Sequence, residues 1–274
     1  MWGAIQTGDA DSNRVPRLSL PRFYRARARE CVASLRSCLR FGLWSLGISR
    51  RPGEDPEMPA RFWDGVRRNS SCRVRRMLDF WQRWPQHRLE SEACYRAYPG
   101  GDAIDVGSHD GWYACLLAPK VSGTMVLLEP DPTRFAELHA TLASLHRAFP
   151  GKSFLLLPRP CSDTPNLALQ RVGEQLLPCP PGEAQKGFPA ISLDEITQSL
   201  RLAPTFIKID VEGHELAVLR SGRQTLIHHR PVLMVEMHGP ELRREAKTWL
   251  EANGYREEPI YTENGITRAL FRPA

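Results

Sequence analysis

Between Asp102 and Met237 the chain alternates two rhythms, and this alternation restricts its fold more than any other feature. DAIDV at 102–106, TMVLLE at 124–129, SFLLL at 153–157, TFIKID at 205–210 and PVLMVEM at 231–237 have the length and aliphatic content of buried strands. Helix-periodic stretches at 112–119, 132–148, 213–227 and 240–253 fall between or after them. Strands separated by helices form a mainly parallel sheet with both faces covered, because each crossover must return over a face. Two further strands, about 255–260 and 266–272, close the chain, and the TENG between them carries the Asn264-Gly265 pair of a tight hairpin. The expectation is an α/β protein built on a doubly wound sheet that ends in an antiparallel hairpin.

A longer insertion, 158–204, separates the third and fourth strands. It holds a strand or two near 167–172 and the breaker-rich PCPPGE. Ser192-Leu193-Asp194-Glu195 reads as a capping box, so a helix should start there and run to about Leu202.

Pro99-Gly100-Gly101 marks a boundary. Residues 1–98 read as an Arg-rich, helical N-terminal extension and 99–274 as the main domain. In the extension, Ala28, Cys31, Val32, Leu35, Cys38, Leu39, Leu43 and Leu46 recur at helical spacing, predicting an amphipathic helix over about 21–48. Arg22, Arg25, Arg29, Arg36 and Arg40 stripe another face. That stripe fits peripheral contact with an anionic membrane, or a packed helix whose arginines stand in water. A linker, RRPGEDPEMP at 50–59, leads to short helices over 60–98 rich in Phe62, Trp63, Phe80, Trp81, Trp84, Tyr95 and Tyr98. Arg73, Arg75 and Arg76 suit an anionic acceptor or a solvated helix face.

Charge and cysteine usage narrow the class. Residues 1–98 carry nineteen arginines, no lysine and ten acids, a balance of +9, whereas 99–274 carry −3. The basic character belongs to the extension, so the high isoelectric point does not argue for a nucleic-acid partner. Seven cysteines without a C-x-x-C pair argue against a zinc or disulfide framework and for reduced thiols in the cytoplasm. No apolar run reaches the roughly 18 residues of a membrane span. FGLWSLGI at 41–48 is too short and too far along for a secretory signal, and Asp9 and Asp11 stand where a basic segment would precede it.

Chemistry-bearing residues gather at the ends of the strands. The first strand runs into DVGSHDG, where Gly107 and Gly111 permit a tight turn and close approach to a ligand. The dinucleotide spacing G-x-G-x-x-G is not met. The second strand ends at Glu129, about twenty residues past the turn, where an acid can accept from ribose hydroxyls. The fourth strand ends in FIKIDVEGHE, placing Lys208, Asp210, Glu212, His214 and Glu215 where a buried strand normally stops being charged. If that strand continues, its period of two puts Asp210 and Glu212 on one side, as it does Glu236 and His238 on the fifth. Asp210, Glu212, His214, Glu236 and His238 would then share one rim. Asp210, Glu212, Glu236 and His238 would also suit Mg²⁺, though nothing in the spacing fixes a ligand geometry, and no metal is assigned.

DVGSHDGWYACLLA, LEPDP, CSD at 161–163, ISLDEI at 191–196, FIKIDVEGHELAVLRSG and VLMVEMH occur in the order seen in FkbM-type S-adenosylmethionine-dependent methyltransferases. The resemblance covers about 100–271, and its most specific parts are Lys-Ile-Asp-Val-Glu-Gly and the downstream Val-Glu-x-His. His109 departs from the Asn common there. The resemblance implies the class I methyltransferase (Rossmann-like) fold, whose seven-stranded sheet ends in an antiparallel hairpin. It implies S-adenosyl-L-methionine as cofactor, held by Asp105, Gly107, Ser108, His109, Gly111, Glu129 and Asp210, with Asp163 near the adenine amino group unless it only caps a turn. Asp210 would lie near the methionine part, and Glu212, His214 and His238 are candidates for the base or for orienting the acceptor, with Glu236 beside them.

The reading is O-methylation of a hydroxyl on a sugar, glycolipid or secondary metabolite, with a small-molecule or glycan acceptor and no nucleic acid. The alternatives are a nucleotide-sugar or NAD-binding Rossmann enzyme, and a membrane-associated binding module with lost catalysis. The acceptor, oligomeric state and role of residues 1–98 stay open.

Overall fold

The computed structural model describes residues 85–173, 175–179 and 187–274. The expected helix 21–48, the linker 50–59, and Arg73, Arg75 and Arg76 lie outside the described residues.

Helix α1 (Pro85–Ala97) leads into strand β1 (Gly101–Val106), helix α2 (Trp112–Leu117), β2 (Val121–Leu128), α3 (Phe135–Ala148) and β3 (Ser153–Leu157). The insertion forms β4 (Asn166–Val172), β5 (Gln175–Pro178) and β6 (Gly187–Pro189), a small antiparallel sheet in the order β5-β4-β6. Then come α4 (Leu193–Leu200), β7 (Pro204–Ile209), α5 (Glu215–Ser221), α6 (Arg223–His229), β8 (Val232–His238) and α7 (Pro240–Ala252). The hairpin β9 (Tyr255–Glu263) and β10 (Ile266–Pro273) ends the chain.

The main sheet runs β3-β2-β1-β7-β8-β10-β9. Its first five strands are parallel, and β10 is antiparallel to both neighbours. This is the class I methyltransferase topology, with the closing hairpin the sequence predicts. Asn264 and Gly265 both take positive φ, 52° and 79°, as the tight hairpin turn requires. Ser192 caps α4 in a full capping box with Glu195.

Burial on both faces is written at period two. Ala103, Met125, Leu127, Phe206, Met234 and Leu270 face a core shared with α1, α2 and α3. Ile104, Val106, Val126, Leu128, Ile207, Ile209, Leu233 and Val235 face the other, with Ile196 of α4, Val218 of α5, Leu226 of α6 and Leu250 of α7. Register aligns Leu157, Leu128, Val106, Ile209 and Val235 across five strands, so their carboxyl ends open onto one edge.

Two expectations need correction. The helix predicted over 213–227 is broken at Gly222, where a Cβ would meet the Leu193 side chain at 2.7 Å. α4 closes on this point, with Leu193 N donating to Ser221 Oγ at 3.2 Å, so the residue there must be glycine, and glycine holds a helix poorly. The fourth main strand ends at Ile209, and Glu212 adopts a left-handed φ of 55°. Asp210 and Glu212 are therefore placed by a turn, not by strand parity.

Candidate functional site

The turn after β1 is fixed by backbone contacts. Gly107 N and Ser108 N both donate to Leu128 O, at 3.0 and 2.9 Å, and Ser108 Oγ donates to Asp105 O at 2.7 Å. Gly107 has a φ of 82°, and a Cβ there would stand 1.8 Å from Asp210 O, so the ends of β1 and β7 touch through backbone alone. Gly111, at the start of α2, lies against Thr141 of α3 and serves helix packing.

Glu129 is clamped from two sides. His109 N donates to its Oε2 at 2.8 Å and Asp131 N to its Oε1 at 2.9 Å. Burial pushes its carboxyl up, while these two donors hold it back. Each oxygen keeps a further acceptor direction. The His109 side chain is itself 53% exposed, so this position acts on Glu129 through its amide.

These turns open onto a cleft of about 280 Å³ lined by Gly107, Ser108, His109, Glu129, Asp210, Glu212 and His214. Leu128, Pro130, Pro160, Leu167, Leu169 and Leu176 give it an apolar side. The last three belong to the β4–β5 hairpin, which is tied down at two points. Arg171 reaches Asp131 Oδ1 at 2.5 Å, and Gln175 Nε2 donates to Glu212 Oε1.

The rim expected to hold five polar groups is divided. Asp210, Glu212 and His214 line the cleft, whereas Glu236 and His238 stand behind them. His238 Nδ1 donates to Glu215 Oε1 at 2.8 Å, and its Nε2 lies 3.4 Å from Glu212, 3.9 Å from Glu236 and 4.0 Å from Asp210. Burial alone would lower its pKa, but the Glu215 hydrogen bond and the surrounding carboxylates raise it to about 9. At neutral pH it is an imidazolium, a donor at both nitrogens. His214 differs. Burial lowers its pKa, and its Nε2 lies 2.8 Å from Ser162 Oγ. Asp163 is exposed, accepts from the Thr164 hydroxyl and does not line the cleft.

Beneath the cleft, charges alternate across four adjacent strands: Asp105 on β1, Lys208 on β7, Glu236 on β8 and Arg268 on β10. Lys208 Nζ sits 3.0 Å from Asp210 and 3.9 Å from Asp105, and 4.6 Å over the Tyr113 ring. Burial raises the Asp105 carboxyl to about 6 despite Lys208. For Lys208, burial works against the charge, but Asp210 and Asp105 win and raise its pKa. Burial and the nearby Asp210 push Glu236 well up, although Arg268 donates to it. Asp210, Glu236 and His238 each bring one potential ligand atom within 4.8 Å of the others. Lys208 and Arg268 already occupy the two carboxylates, so the protein supplies its own cations there.

Sequence reasoning missed Glu90, Tyr113, Gln175 and Arg268 as neighbours of this site. Parity along β10 puts Arg268 on the face of buried Leu270, a signal that was available. Glu90 and Gln175 have no local signature.

The methyltransferase FkbM domain model matches residues 105–257. The chain belongs to the FkbM methyltransferase family. No curated protein matches its sequence. Among solved structures, an FkbM methyltransferase from Methylobacillus flagellatus KT is 16% identical, with a TM-score of 0.48 over 77% of this chain and 58% of that one. The chain thus spans 58% of the length of that relative. A precorrin-6y C5,15-methyltransferase from Geobacter metallireducens is 13% identical, TM-score 0.46, over 69% of this chain and 88% of that one. An rRNA methylase from Streptococcus thermophilus is 6% identical, TM-score 0.42, over 69% and 95%. This FkbM-family chain contributes α1 and most of β9–β10 from outside the matched segment. Among its described residues no helix is long and apolar enough to cross a membrane.

Proposed function

We propose that the chain binds S-adenosylmethionine in this cleft and transfers its methyl group to a hydroxyl of a sugar, glycolipid or secondary metabolite. The observation that carries the reading is the shared cavity: Gly107, Glu129 and Asp210, from three separate segments, line one cleft. The residues suit the cofactor. Gly107 leaves the backbone bare where a Cβ would fill the turn, and Glu129 is oriented to accept from a ribose diol. The apolar side at Leu128, Pro130 and Leu169 suits an adenine ring. Asp210 faces opposing effects: burial raises its pKa, but Lys208 and His238 more than offset it and lower it. It therefore remains an anion able to face positive charge.

Bound S-adenosylmethionine supplies a methyl carbon on a sulfonium, open to in-line attack. The protein must then orient the acceptor hydroxyl and take its proton. We assign the proton to His214. It lines the cleft and is neutral at pH 7, and the tautomer that donates Nε2–H to Ser162 Oγ leaves the Nδ1 lone pair free. His238 is an imidazolium held by carboxylates and serves as their counter-charge. Glu212, fixed by Gln175 and His238, orients the acceptor.

Calorimetric titration of the full chain with S-adenosylmethionine tests the cofactor. No heat at submillimolar ligand, or binding of NAD instead, overturns the reading. Incubation of cell extract with methyl-labelled cofactor, followed by mass spectrometry, tests the acceptor class. Label in a hydroxylated metabolite or glycan supports it, and label in RNA or on carbon overturns it. A cytoplasmic location belongs to this reading, as does a main domain over 99–274 against which α1 of the preceding extension packs.

A further inference from the structure

Helix α1 precedes the segment matched by the family, yet it reaches under the cleft. Glu90 is 2% exposed, and its Oε2 lies 3.0 Å from Arg268 Nε and 3.3 Å from the Tyr261 hydroxyl. The Tyr113 hydroxyl donates to its Oε1. The next residue, Ser91, accepts from the Trp112 indole N–H at 3.3 Å. Trp112 and Tyr113 both line the cleft, so successive α1 residues hold the polar ends of both aromatic side chains. Through Arg268, Glu90 also connects to Glu236, and through Tyr113 to the ammonium of Lys208, which holds Asp210.

A buried ion pair adds little net stability over apolar residues of the same shape, because desolvation offsets the attraction. Packing alone therefore does not account for a carboxylate here. We propose that Glu90 is a positioning residue of the methyl-transfer site, acting through Arg268 and Tyr113 to hold Glu236, Lys208 and Asp210 in register and to keep the floor of the cleft anionic. This rests on the reading of the cleft as the S-adenosylmethionine site. The consequence is selectivity by charge: the floor favours the sulfonium cofactor over its neutral thioether product, S-adenosylhomocysteine.

The test uses the full chain and the substitutions Glu90→Gln, Arg268→Met and the charge-balanced double Glu90→Gln/Arg268→Met. Gln keeps an acceptor for Tyr113 while removing the charge. Calorimetry with both ligands should show Glu90→Gln weakening S-adenosylmethionine about fivefold more than S-adenosylhomocysteine, because only the sulfonium carries the charge that an anionic floor attracts. The double variant should return the ratio toward wild type. An independent readout is the ¹⁵N-histidine NMR titration of His238. It faces Glu215 from α5, Asp210 and Glu212 from the turn after β7, Glu236 on its own strand and, beyond these, Lys208 on β7, Arg268 on β10 and Glu90 on α1. Its midpoint should fall in Glu90→Gln and rise in Arg268→Met, an opposition that lost packing does not produce. An unchanged ligand ratio with an unmoved His238 midpoint overturns the proposal. If Glu90→Gln does not fold, the single Arg268→Met and the double variant decide it by the same two readouts. If the wild type binds neither ligand, the cofactor reading fails, while the histidine titration still decides whether Glu90 couples to the site.

Discussion

A side-chain carbon on Gly107 would stand 1.8 Å from the carbonyl oxygen of Asp210. The turn that shapes one end of the cleft and the turn that supplies its carboxylate are thus in backbone contact, and neither can move without the other. Asp210 N also donates to Val106 O at 3.0 Å, so the contact is tied on both sides.

Gly107→Ala should therefore be severe. The left-handed φ of 82° adds strain of about 1 kcal/mol to a clash with backbone that no rotamer change relieves. A loss of roughly 3 kcal/mol or more is expected in urea unfolding. Any folded fraction should fail to bind S-adenosylmethionine, because the strands must part to admit the methyl group.

Glu129→Ala should weaken S-adenosylmethionine about tenfold or more in calorimetry, the scale of a charge-assisted hydrogen bond lost. Glu129→Gln should be no milder. Its carboxylate receives the His109 and Asp131 amides on different oxygens, and a glutamine would turn an N–H₂ toward one of those donors.

The two site histidines should separate by pH and by step. His214→Asn is expected to lower methyl transfer about 100-fold, the range of a lost general base, while cofactor affinity stays within twofold. Burial lowers the His214 pKa below 6.5, so the wild-type rate should climb on the acid side of that value and be level by pH 7. Rate profiles against pH, with label incorporation as the measure, check both.

His238 acts on stability instead. Its pKa is raised from 6.5 to about 9, so the charged form contributes stability that is complete below pH 6.5 and lost as pH rises through 9. The contribution is about 3 kcal/mol at most. Urea unfolding of the wild type should weaken between pH 6.5 and 9.5. His238→Gln should flatten this dependence and leave Glu215 with a neutral partner.

The residues that set the sheet were legible because each strand carries its own evidence: apart from Lys208 and Glu236, TFIKI and VLMVEM carry apolar residues on both faces, as strands buried between helices must. Gly107, Glu129 and Asp210 were legible for a related reason, since each directly follows such a strand. What could not be read depends on contacts between distant segments. Position 222 must be glycine because Leu193, 29 residues earlier, packs onto it, and nothing local announces that contact. Glu90 meets Arg268 across 178 positions, and neither has a local pattern announcing the other. The five-residue rim was half right for a physical reason. Strand parity does place Glu236 and His238 on one side of β8, but β8 lies one strand further from β1 than β7 does, so the turn after β7 stands between them and the cleft, and parity along one strand does not encode that lateral distance.

Glu212 offers a test that separates strain from function. Its left-handed φ of 55° costs a non-glycine residue of the order of 1 kcal/mol, while Gln175 and His238 hold its carboxylate in place. Glu212→Gly relieves the backbone but removes both contacts. It should leave the melting temperature unchanged or higher, yet lower methyl transfer about tenfold by freeing the acceptor side of the cleft and the β5 end of the hairpin. Glu212→Gln retains the strain and an acceptor for Gln175 but loses the charge facing His238. It should melt lower than Glu212→Gly and still transfer more. If Glu212→Gly is both less stable and fully active, the carboxylate is serving the fold, and the strained turn carries no catalytic purpose.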